Sequence, residues 1–98
     1  MRQAALERKI RDLHQRVRYA RNELTVLDEQ LEVLEEEAED ARVRSLVSET
    51  PLAAKEAADA RRQFEVAQRA AAALRSEIEQ CTLDRDRLLR ELPAGSRK

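Results

Sequence analysis

The apolar residues of this chain recur at steps of three and four almost from end to end, with a single interruption. Leu6, Ile10, Leu13, Val17, Ala20, Leu24, Leu27, Leu31, Leu34, Ala38 and Ala41 keep that rhythm. It lapses at Ser48-Glu49-Thr50-Pro51 and resumes at Ala53, Ala57, Ala60, Phe64, Ala67, Ala71, Leu74, Ile78 and Cys81, then Arg85, Leu88 and Leu92. A seven-residue repeat of this kind gives each of two helices one apolar edge, the pattern of a coiled-coil seam. Other folds are closed to the chain. One Gly and two Pro cannot punctuate a sandwich or an α/β domain, and with 2% aromatic residues a sheet would have little to pack.

The interruption reads as stop and restart. Thr50 offers a side-chain oxygen to cap a new helix, and Pro51 suits the first helical position, where its missing N–H would have lacked a partner anyway. A proline in the middle of one continuous helix would instead cost about 3 kcal/mol. The sequence therefore predicts an all-α fold: an antiparallel two-helix coiled-coil hairpin, with helix 1 over about 3–47, a turn over about 48–50, helix 2 over about 51–92 and a disordered tail over 93–98. Folding at that turn brings together seam residues whose numbers sum to about 98, so that Leu34 faces Phe64, Ala20 faces Ile78 and Val17 faces Cys81. The same register pairs the flanking charges Lys9 with Glu91, Arg16 with Asp84 and Arg44 with Glu56, and sets Glu23 against Glu77.

A lone hairpin of this composition has a thin core. About half of the second helix's seam is Ala, which gains far less on burial than the roughly 1.5–3 kcal/mol of a Leu or Phe. Outside the seam, Tyr19, Val26 and Val33 recur every seven residues, and Val66, Ala70 and Ala73 lie at the same level on the second helix. These six residues form a second apolar face, read as the contact of a two-fold homodimer that completes a four-helix bundle.

Chemistry-bearing residues are few. One Cys and one His exclude a disulfide framework and an ordinary all-protein zinc site. Cys81 sits in the seam as a small hydrophobe, and His14, about one turn away across the hairpin, has no pocket or oxyanion donors with which to form a nucleophile pair. The run Glu35-Glu36-Glu37 with Glu39 and Asp40 lacks the glycine turn of a calcium loop. No phosphate loop or dinucleotide fingerprint is present. The expectation is a chain that is not an enzyme and takes no cofactor, metal or small-molecule substrate.

Charge distinguishes the two ends of helix 1. The net charge is −1, yet residues 1–22 carry seven basic side chains against two acidic, and residues 23–49 carry ten acidic against two basic. Arg85, alone in breaking the seam, reads as a register keeper whose stem covers Leu13. The N-terminal segment has no apolar run, and no stretch approaches the roughly 20 apolar residues of a membrane span. A cytoplasmic bacterial protein is expected, the high Arg and Ala content matching a GC-rich genome. Its expected role is protein–protein interaction as an adaptor, scaffold or regulator, with association to nucleic acid or RNA polymerase through the basic open end or the tip as the alternative. The tip segment Ser48-Glu49-Thr50-Pro51-Leu52-Ala53-Ala54-Lys55-Glu56 resembles that of Gre-type transcript-cleavage factors. That likeness implies an acid, here Glu49, presented to a polymerase; the second tip acid of that family has no counterpart.

Overall fold

The computed structural model describes residues 2–93 and consists of two helices, α1 (Arg2–Ser48) and α2 (Pro51–Glu91). They form an all-α antiparallel hairpin whose helices are in extensive contact. The turn is two residues, Glu49 and Thr50, one shorter than the sequence predicts, because Ser48 completes α1. The expected tail falls at 94–98 outside the described residues, while Pro93 follows the end of α2.

The turn is built as its residue types require. The Glu49 N–H donates to the Ser45 carbonyl at 3.0 Å, and Glu49 then takes φ 51°, the left-handed conformation that ends a helix and that Gly adopts with least strain. Thr50 reverses the logic one residue later. Its Oγ1 accepts the Ala53 N–H at 3.1 Å, a donor that would otherwise be orphaned, and its carbonyl accepts the Ala54 N–H at 3.1 Å as the first bond of α2. Thr50→Ala removes the side-chain acceptor while leaving the backbone free to turn. It is expected to lower stability by about 1 kcal/mol, read as a drop of several degrees in the thermal midpoint by circular dichroism.

The seam is the core. Every seam residue of both helices is buried or half-buried, and none is exposed. The buried members are mostly small: Ala20, Ala38, Ala41, Ala67, Ala71 and Cys81, joined by Val17, Phe64 and Leu92. Alanine allows the helix backbones to approach closely, which leaves the longer side chains at the edges of the contact. Leu24, Leu27, Leu31 and Leu34 are accordingly only half-buried. Of the seam leucines only Leu92 is buried; along the rest of the contact one seam between two helices does not enclose a leucine.

The hairpin divides into two compact units, Met1–Glu23 with Leu74–Lys98, and Leu24–Ala73. In the first, ion pairs link the helices, among them Arg2 Nη2 with Glu91 Oε1 at 3.0 Å and Arg16 Nη2 with Glu77 Oε1 at 3.8 Å. Both differ by one heptad from the expected partners. Glu91 takes Arg2 instead of Lys9, and Arg16 takes Glu77 because Asp84 is already engaged on its own helix by Gln80 at 3.1 Å and Arg87 at 3.6 Å. The expected repulsion of Glu77 by Glu23 is offset by Arg16, and no Arg44–Glu56 pair forms among the described residues. Apart from the half-buried Asp84 these groups lie at the surface, where a pair contributes about 0–1 kcal/mol, so the exchange of partners costs little.

Candidate interaction surface

The six residues of the expected second face all point away from the seam. Tyr19 is 63% exposed, Val26 55%, Val33 54% and Val66 53%, with Ala70 and Ala73 also exposed. For aliphatic and aromatic side chains on helices this is a large unburied apolar area. Tyr19 belongs to the unit at the open end of the hairpin. The other five belong to the Leu24–Ala73 unit, where Val26 and Val33 line one shallow hollow with Glu29, Gln30, Leu34 and Glu37. The half-buried Leu34 at the base of that hollow shows why the surface is incomplete: a side chain that began in the seam is still reached by solvent from outside.

A second apolar group, not singled out by the seam pattern, lies beside the turn. Leu46 is 63% exposed, Val47 80% and Leu52 66%. The sequence carried the signal in Ser45-Leu46-Val47-Ser48 and Pro51-Leu52, apolar residues crowding a polar turn where no seam position calls for them. Glu49, the residue that carries the likeness to transcript-cleavage factors, is exposed between them.

In the open-end unit, a hollow of about 700 Å³ runs along α1 beside Ile10, Arg11, His14, Arg18 and Tyr19, with Arg85 and Leu89 of α2 on its other side. No acidic residue lines it. Arg85 occupies its seam position half-buried: its Nη2 reaches Asp86 Oδ1 at 3.5 Å, while its Nε is buried without a hydrogen-bond partner. The guanidinium thus only partly reaches water. An orphaned buried donor costs about 1–3 kcal/mol. Arg85→Leu restores an unbroken seam and removes that donor, so it is expected to raise the thermal midpoint by about 5 °C or more in a melt followed by circular dichroism.

The opposite charge dominates the other unit. Glu32, Glu35, Glu36 and Glu39 line a hollow beside Phe64, with Arg42 and Arg61 at its rim. Arg42 donates to both carboxylate oxygens of Glu39, at 3.0 and 2.7 Å, and this fork holds the Glu39 carboxyl below the usual carboxylate range and the guanidinium above its own. Arg61 lies 5.8 Å from the centre of the Phe64 ring, a cation over an aromatic face.

Cys81 is a free, buried thiol in the seam and His14 is exposed on α1. Among the described residues no three His, Cys, Asp or Glu side chains gather closely enough to hold a metal ion, and no helix is long and apolar enough to cross a membrane. No family model, curated protein or solved structure matches the chain.

Proposed function

We propose that this chain is a non-enzymatic coiled-coil interaction module that associates with a second copy of itself, and that the resulting four-helix bundle serves as an adaptor, scaffold or regulator for another protein. The observation that carries the reading is the row Tyr19, Val26 and Val33, each more than half exposed on α1 in a hairpin whose own seam leaves every seam leucine but Leu92 half-buried. A folded chain that keeps such residues in water gains by covering them, and the heptad spacing fits another helix better than it fits a small ligand. Val66, Ala70 and Ala73 extend the same face onto α2. Leu46, Val47 and Leu52 remain free at the tip for a different partner. Light scattering coupled to size exclusion tests the first step: a mass of twice 11.3 kDa is expected, and a monomer at all concentrations overturns the reading.

The alternative, association with nucleic acid, has one observation in its favour. The basic hollow at the open end presents Arg11, His14 and Arg18 with no acid among its lining residues. Phosphate binding there would give a salt-sensitive gel shift that disappears on charge reversal of Arg8, Arg11 and Arg18. Absence of a shift at low salt removes it.

A further inference from the structure

The hollow of the open-end unit joins two kinds of surface. Ile10 and Leu89 are half-buried in the hairpin and still line it, and the exposed Tyr19 adds a third apolar side chain. Arginine stands on both sides of this apolar strip. Arg11 and Arg18 on α1 are exposed and make no hydrogen bond or ion pair among the described residues. Arg85 on α2 has only its neighbour Asp86, at 3.5 Å, which is long for a charge-assisted bond. The acids that meet arginines across the hairpin lie elsewhere. Glu91 pairs with Arg2 and Glu77 with Arg16, and at 3.6 residues per turn Arg2 and Arg16 lie nearly half a turn round α1 from Arg11 and Arg18.

From this arrangement we infer that the hollow takes a helix of a partner protein, with one apolar edge flanked by glutamate or aspartate. The lining runs along α1 from Ile10 to Asn22, about 18 Å at 1.5 Å per residue, which is room for about three turns of helix. Arg11 and Arg18 are seven residues apart, about 10 Å along the axis, and acids seven residues apart on the partner helix span the same distance. The apolar edge covers Ile10 and Leu89, while the carboxylates meet the guanidinium groups at the rim and fix orientation and register. A nucleic-acid duplex would satisfy the arginines but brings no apolar edge to lay on Ile10 and Leu89. A small anion would leave most of the length empty. Apart from Tyr19 the hollow shares no residue with the row proposed for self-association, so a monomer can take the partner helix as well as a dimer.

The probe is a fluorescein-labelled peptide of about 18 residues, with Leu along one edge, Glu on both sides of it at heptad spacing and Ala elsewhere, long enough to be helical in water. Fluorescence anisotropy compares it with a scrambled peptide of the same composition and with a labelled DNA duplex at the same salt concentration. The ordered peptide is expected to bind about tenfold or more tightly than the scrambled one. Arg11→Glu with Arg18→Glu places good helix formers at exposed positions, so the variant is expected to keep its helical circular dichroism. It should lose affinity for the Glu peptide by about tenfold or more and prefer the counterpart with Lys in place of Glu. Equal binding of ordered and scrambled peptides, or a variant whose preference is unchanged, overturns the helix site. A duplex that binds more tightly than the ordered peptide overturns it in favour of nucleic acid. A monomeric chain that binds the ordered peptide and switches preference in the variant upholds the site and refutes only the self-association.

Discussion

Val26→Glu combined with Val33→Glu is expected to convert the proposed dimer to a monomer. Both side chains are more than half exposed within one chain, so the substitutions leave the seam untouched and the hairpin helical. In the proposed dimer each valine would lie against apolar partner surface. Placing carboxylates there costs their desolvation, about 2 kcal/mol or more for each, and the two-fold axis doubles the cost to about 8 kcal/mol, a loss of at least several powers of ten in affinity. The expected readout is a light-scattering mass that falls to one chain with little change in circular dichroism at low temperature. An unchanged mass would show that the row is ordinary surface.

Phe64→Ala is the complementary experiment, acting on the fold instead of the assembly. Phe64 is the only aromatic residue of the seam and is 7% exposed, packed in a core otherwise built largely of alanine. Small neighbours cannot move in to fill the space it vacates, so the upper part of the usual 3–5 kcal/mol range for removing a buried phenyl ring is expected. At about 4–8 °C per kcal/mol for a chain of this size, the thermal midpoint falls by about 15 °C or more. Tyr19→Ala, which removes the other aromatic residue from an exposed position, should lower the midpoint only through lost pairing and so by much less at high dilution, where the loss at Phe64 persists. Equal losses from the two substitutions would contradict the assignment of Phe64 to the core and Tyr19 to the outer face.

The contrast between these two aromatics shows what the sequence makes legible. Their positions relative to a seven-residue repeat place one inside and one outside, and that repeat is a local property readable without knowing any contact. The turn is legible for the same reason, since the capping of Ala53 by Thr50 and the start of α2 at Pro51 depend on residues within one helical turn. Charge partners across the seam are a different matter. Flanking positions repeat every seven residues, so Glu91 has both Lys9 and Arg2 on its side of the hairpin, and a difference of a few tenths of a kcal/mol decides between them. Sequence offers no handle on so small a preference. Arg85 belongs to the same class: its place in the seam is plain from spacing, but the burial of Nε away from both water and a partner depends on how the stem lies against α1. The tip cluster of Leu46, Val47 and Leu52 escapes notice because periodicity discards whatever does not fit the repeat, and a turn is expected to be polar.

The most direct test of the central claim, that a half-filled hairpin is completed by a second copy of itself, is the thermal midpoint of the unmodified chain measured over a hundredfold range of protein concentration. If folding and pairing are linked, mass action raises the midpoint steadily with concentration. A midpoint that stays constant across the range would mean that the hairpin is stable alone and that Val26 and Val33 need no cover.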